Sequence, residues 1–86
     1  MRKLWSDKAW EEYLYWQTND KKIAHKINAL IKSIEREGAM KGIGKPEPLK
    51  YRKAYSRRIS AEHRLVYDIE GDIIYLYSCK GHYQEK

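Results

Sequence analysis

Apolar positions follow a helical period in the first half of the chain and a two-residue period in the second. Ile23, Ile27, Leu30, Ile31 and Ile34 recur at i, i+4, i+7, i+8 and i+11 with lysines between them, the stripe of an amphipathic helix. Gly38 stands where a left-handed C-cap residue belongs. Ahead of this stripe Ala9, Trp10, Tyr13, Leu14 and Trp16 follow at roughly helical spacing. Ser6 offers an N-cap, and Asp7 puts negative charge in the first turn, where the helix dipole favours it. The spacing predicts a first helix over about Asp7 to Gln17, broken by Thr18-Asn19-Asp20, with Asn19 or Asp20 capping the next. So short a break predicts two antiparallel helices. Lys3-Leu4-Trp5, before them, is short and β-like.

After Gly38 the texture changes. Gly42, Gly44, Pro46 and Pro48 exclude a regular helix or central strand as far as about Ala54, which predicts a long basic loop. Strands are then predicted at Ser56 to Ser60, about His63 to Ile69, and Asp72 to Lys80, with Glu70-Gly71 turning a hairpin between the last two. The order β-α-α-β-β-β predicts an α+β domain, the helix pair covering one face of a twisted, mainly antiparallel sheet and the other face left for a ligand. Alternation sets Arg57 on the side of Ile59 and Arg58 on the opposite side. In the next strand it groups Arg64, Val66 and Asp68 against His63, Leu65 and Tyr67. One of the two adjacent arginines therefore faces the open side, and alternation alone leaves open which.

Composition bounds the class. A chain of 86 residues with 42% hydrophobic and 35% charged residues predicts one globular domain with a modest core. Eight tyrosines, three tryptophans and no phenylalanine favour rings with a polar handle, which suit wet surfaces, including those that stack on bases. The single cysteine, Cys79, excludes an intramolecular disulfide and a Cys-rich zinc site, and predicts a reducing compartment with Cys79 packed as a small hydrophobe. No apolar run approaches the roughly 20 residues of a membrane span, and Met1-Arg2-Lys3 leads into an amphipathic segment, not a signal peptide. A cytoplasmic protein without a membrane partner is predicted.

Charge narrows the partner. Between Lys41 and Arg64 lie Lys41, Lys45, Lys50, Arg52, Lys53, Arg57, Arg58 and Arg64 against Glu47 and Glu62, so this stretch carries all of the chain's net charge of +6. An anionic partner follows, nucleic acid or acidic protein. One carboxylate, Glu47, sits among the loop cations, and His82 and Tyr83 close the ordered pattern. Cleaving RNA without a metal needs a base for the 2′-hydroxyl, a cation for the charge on the phosphorane and an acid for the departing 5′-oxygen. Glu, Arg and His meet those needs with no cofactor.

Lys45-Pro-Glu-Pro-Leu-Lys50, Ser56-Arg-Arg-Ile, Glu62-His-Arg-Leu-Val-Tyr67 and His82-Tyr83 together resemble the signature of YoeB-type toxins in the RelE/ParE superfamily. Trp5-Ser6, Tyr13-Leu14-Tyr15-Trp16-Gln17 and Lys26-Ile27-Asn28 extend the resemblance over nearly the whole chain. It implies a fold like that of small microbial ribonucleases, and the toxin of a type II toxin–antitoxin module that cuts messenger RNA in the ribosomal decoding site. Carried over by motif, Glu47 is the expected general base, Arg64 the phosphate-stabilising cation and His82 the general acid. Tyr83 is expected to stack on or orient a base, and Lys50 and Arg58, with Arg57 as the other candidate, to hold phosphates. A YefM-like antitoxin with an acidic segment and a toxin homodimer are the implied protein partners.

Two features depart from the family pattern. The spacer Tyr51 to Tyr55 is shorter and lacks the usual glycine and following aromatic, which bears on how far Glu47 and Lys50 reach, and Gln84-Glu85-Lys86 extends past the His-Tyr pair. The competing expectation is a ParE-like or inactive toxin-fold protein that only binds its antitoxin.

Overall fold

A computed structural model describes residues 1–82 of the chain, so Tyr83 and the three residues after it lie outside the described residues. Helix α1 runs Asp7–Asn19 and α2 runs Lys21–Glu37. Ser6 caps α1 by accepting from the Ala9 N–H at 3.0 Å, and its hydroxyl also donates to the Tyr77 carbonyl at 2.9 Å, so the cap is bonded to the sheet as well. Asp20 alone joins the helices. Its N–H closes the last turn of α1 on Trp16 O, and its carboxylate accepts from Lys22 N and Ile23 N at the start of α2. The first helix therefore runs two residues beyond Gln17, because one residue supplies both caps.

In the described residues five strands form one sheet in the order β1-β5-β4-β3-β2, with β1 Arg2–Trp5, β2 Glu47–Pro48, β3 Tyr55–Arg58, β4 Arg64–Glu70 and β5 Ile73–Ser78. Among the described residues only β1 pairs in parallel, alongside β5; the other ladders are antiparallel. Both helices pack on one face. Ala9 and Trp16 of α1 and Ile27, Leu30 and Ile34 of α2 meet Leu65 and Tyr67 of β4 and Ile74 and Leu76 of β5. Each large side chain so buried contributes roughly 1.5–3 kcal/mol, so this contact holds the layers together.

Other boundaries also differ from the sequence reading. β3 ends at Arg58 and not Ser60, because the N–H groups of Ile59 and Ser60 both turn to the His63 carbonyl, at 2.9 and 3.2 Å. The loop after α2 contains a strand after all, the two-residue β2. Pro48 is tolerated because β2 is the sheet edge, where a missing N–H leaves no ladder bond unmade. The β4–β5 turn is Gly71-Asp72, Gly71 taking the positive φ of 59° that primed hairpin turns need. The face away from the helices is also less open than predicted, since Val66 and Asp68 on it are buried.

At Gly44 the loop presses close against the core. Its φ is +87°, and a Cβ there would lie 2.6 Å from Leu30 Cδ2 and 3.2 Å from the Arg58 carbonyl oxygen. Gly44→Ala is therefore predicted to cost on the order of 3 kcal/mol, from overpacking together with an unfavourable φ. Urea unfolding followed by tryptophan fluorescence measures the loss; a change under about 0.5 kcal/mol, the scale of a neutral surface substitution, contradicts it.

Candidate active site

Register places the candidate side chains. Glu47 of β2 pairs with Ser56 of β3, Ser56 pairs with Val66 of β4, and Arg58 of β3 lies directly opposite Arg64 of β4. Paired residues share a face, so Glu47, Ser56, Arg58 and Arg64 all stand on the side away from the helices. Arg64 Nη1 donates to Ser56 Oγ at 3.4 Å and lies 3.8 Å from Glu47 Oε2. The Arg64 side chain is 20% exposed and that of Glu47 61% exposed. Such a wet, loose ion pair adds little stability and leaves the carboxylate free to turn toward another donor. Arg58, exposed beside Arg64, makes a like-charged cross-strand pair that an anion between them would relieve.

His82 is carried on a short segment tied from two sides. On the α1 side Trp16 Nε1–H donates to the Cys79 carbonyl at 2.9 Å, the Cys79 N–H donates to Glu12 Oε1 at 2.8 Å, and Lys80 Nζ lies 4.6 Å from the centre of the Tyr15 ring. On the β4 side the Gly81 N–H donates to His63 Nδ1 at 2.8 Å and the Gly81 carbonyl accepts from the Arg64 N–H at 3.1 Å. His82 is thus one residue from a backbone bond to Arg64, and it is exposed to solvent. Tyr83 lies outside the described residues.

The short spacer closes a hairpin loop between β2 and β3, in which the Leu49 N–H donates to the Ala54 carbonyl at 2.9 Å. Lys50 is exposed on that loop. The loop is fastened over the sheet face by Arg52, whose guanidinium carbon lies 4.5 Å from the Tyr77 ring centre, and by Lys53, which reaches Asp68 at 3.5 Å and Glu70 at 3.7 Å. The Asp68 carboxylate raises the Lys53 pKa. With this short spacer the Glu47 carboxylate lies 3.8 Å from Arg64.

Arg57 requires a correction. It is fully buried under the sheet, on the helix side, and cannot meet a phosphate. Its guanidinium donates to the Tyr67 hydroxyl, Ser33 Oγ and the carbonyls of Gly38, Ala39, Lys41 and Ile43. Arg58 is consequently the one of the pair that faces the open side. Sequence reasoning also passed over Ser56, His63, Glu12 and Trp16, which fix Arg64 and the His82 segment. Glu12 and Trp16, at i and i+4, do carry a helical signal, but their partner at Cys79 is 63 to 67 residues away. Among the described residues no group of three or more His, Cys, Asp or Glu side chains could hold a metal ion.

This geometry can be set beside known proteins. Residues 5–83 match the family model described as the YoeB-like toxin of bacterial type II toxin–antitoxin systems. The chain belongs to that family. Toxin YoeB of Escherichia coli strain K12 is 48% identical over 85 residues, 96% of this chain and 100% of the relative, and Toxin YoeB of a Synechocystis strain is 48% identical over 86 residues, 98% and 99%. Among solved structures, a YoeB dimer from Staphylococcus aureus superposes with a TM-score of 0.93 at 52% identity, covering 96% of this chain and 98% of that one. A heterotetrameric YoeB–YefM complex from the same organism gives 0.91 at 53%, with the same coverage. YafQ from E. coli strain BL21(DE3), at 12% identity and a TM-score of 0.74, shares the fold. No helix among the described residues is long and apolar enough to cross a membrane.

Cys79, which anchors the His82 segment, yields a test by pH. Burial, with help from the Glu12 carboxylate, pushes its thiol pKa from 9.0 up to about 12. Below the unfolded value both states keep the proton; between the two values the unfolded chain releases it and the folded chain retains it, so stability falls as pH rises. The predicted slope is at most roughly 1.4 kcal/mol per pH unit above about pH 9. Urea unfolding of the wild type and of Cys79→Ala measures it. The variant should lose this part of the slope, and equal slopes would contradict the assignment.

Proposed function

We propose that this chain is the toxin of a type II module and acts as a ribosome-dependent endoribonuclease that cuts messenger RNA without a metal. In this reading Glu47 takes the proton of the 2′-hydroxyl, and the 2′-oxygen attacks the adjacent phosphorus in line. Arg64 and Arg58 carry the added negative charge of the phosphorane. His82 gives its proton to the 5′-oxygen as the P–O5′ bond breaks, leaving a 2′,3′-cyclic phosphate or its hydrolysed 3′-phosphate. Lys50 holds a flanking phosphate, and Tyr83 stacks on or orients a base. The approach of Glu47 to within 3.8 Å of Arg64, on a segment of sheet face that also carries Arg58, is the observation that carries the proposal.

The partners follow from the same surface and from relatives. The S. aureus relatives form a dimer and a heterotetramer with YefM, and we extend both arrangements to this chain: a homodimer, neutralised by a YefM-like antitoxin whose acidic segment covers the cations. The ribosome presents the message and its phosphates to this surface, so activity belongs to the cytoplasm, and naked RNA is a poor substrate.

Purified toxin added to a translating extract tests this reading. His82→Ala and Glu47→Ala should each slow cleavage of translated message by about 10²- to 10⁴-fold, the range for removing a general acid or base, and should abolish growth arrest on expression. Undiminished arrest in both variants would point to a binding protein of the same fold. Ribosome affinity should also fall linearly in log–log form with salt, as expected where several phosphates are contacted; a flat dependence would remove the basic face as the docking site.

A further inference from the structure

The loop that delivers Glu47 is held in an unusual way. Its two large apolar side chains, Met40 and Ile43, are 47% and 44% exposed, so burial of side chains does not keep residues 38–43 in place. Their carbonyls do. Arg57 Nη2 donates to the Gly38 carbonyl at 2.8 Å, the Ala39 carbonyl at 3.5 Å and the Lys41 carbonyl at 2.6 Å, while Nη1 donates to the Ile43 carbonyl at 2.9 Å and to Ser33 Oγ at 3.0 Å. Nε donates to the Tyr67 hydroxyl at 2.8 Å, which in turn donates to the Ala39 carbonyl. Every N–H of the guanidinium is used, and among the described residues no carboxylate pairs with it. Its compensation is a cage of carbonyls at the C-terminal end of α2, where the helix dipole is negative.

The cage leads directly to the site. After Ile43, the Gly44 carbonyl accepts from the Arg58 N–H at 2.6 Å, Lys45 takes a positive φ of 50°, and two residues later Glu47 pairs with Ser56. A lysine in that backbone region ahead of a proline is strained, and such strain persists only where the surroundings over-determine it. We infer that Arg57 is a positioning residue for Glu47: by caging the carbonyls of residues 38–43 it fixes where the β2 carboxylate stands relative to Arg64. This rests on the reading of Glu47 as the base, and Arg57 itself touches no substrate.

Single-turnover cleavage of ribosome-bound message, at saturating toxin, tests it with Arg57→Lys, Glu47→Ala and the double variant. Lysine keeps the charge but cannot bond six acceptors, so Arg57→Lys should slow cleavage about 10- to 100-fold, the scale of a 1 Å misplacement, with ribosome binding unchanged. In the Glu47→Ala background it should cost nothing further. Equal slowing in both backgrounds would overturn the inference, since it would mark a general loss of structure. If Arg57→Lys does not fold, Tyr67→Phe and Ser33→Ala, each removing part of the cage, carry the same cycle. Hydrogen exchange supplies a readout apart from activity: amides between residues 41 and 47 should exchange faster in the cage variants while those of β4 and β5 do not, and unchanged exchange would overturn the inference. Should Glu47→Ala cleave like the wild type, the assignment of the base fails, and exchange alone then decides whether the cage sets the place of β2.

Discussion

Side chains along β3 alternate between the helix layer and the opposite side, so Arg57 and Arg58 cannot both meet a ligand, and burying one obliges the other to face out. The same alternation puts Ser56 beside Arg58 and, across the ladder, brings Glu47 and Arg64 onto that outward face. Inward, the pleat hands the helix layer a tyrosine stack, Tyr55 on Tyr67 with ring centres 5.7 Å apart, and a full positive charge. A buried charge without partners would cost several kcal/mol, so Arg57 is tolerable only because the chain after α2 folds its carbonyls around it. The two faces are thereby linked: the loop that satisfies the inward arginine is the loop that presents the outward carboxylate.

The other half of the site depends on a different constraint. His82 sits beyond the end of β5, past the last bond of the β4–β5 ladder. Five contacts, from Glu12, Tyr15 and Trp16 on one side and His63 and Arg64 on the other, hold residues 79–81 against both α1 and β4. A proton donor has to be placed within hydrogen-bond reach of its leaving group, and these contacts supply a fixed base for the residue proposed as that donor.

Much of this was legible in the chain. The stripe from Ile23 to Ile34 fixed α2, and the period-two runs after Ala54 announced β4 and β5, because each pattern reports one buried face. The motifs around Glu47, Arg64 and His82 were readable as a family resemblance, and the family is the one the chain belongs to. What escaped the sequence was set by distant contacts. β2, which follows one proline and contains another, hides because its pairing with β3 is decided by the sheet edge. Which of Arg57 and Arg58 turns inward is undecided until the helices choose their face. His63 looks like any strand histidine until Gly81 arrives beside it, 18 residues later. The short Tyr51 to Tyr55 spacer was readable as a departure, but Arg52 on Tyr77 and Lys53 on Asp68 decide its outcome.

The proposed chemistry makes the 2′-hydroxyl the nucleophile and assigns its proton to Glu47. The most direct measurement is cleavage of a ribosome-bound message carrying a single 2′-deoxynucleotide immediately 5′ of the scissile phosphate, with the ends of the all-ribose control identified by mass spectrometry. The account predicts no cut at the deoxy position, and 2′,3′-cyclic or 3′-phosphate ends in the control. Cleavage at the deoxy position, or control products ending in a 3′-hydroxyl, would contradict it.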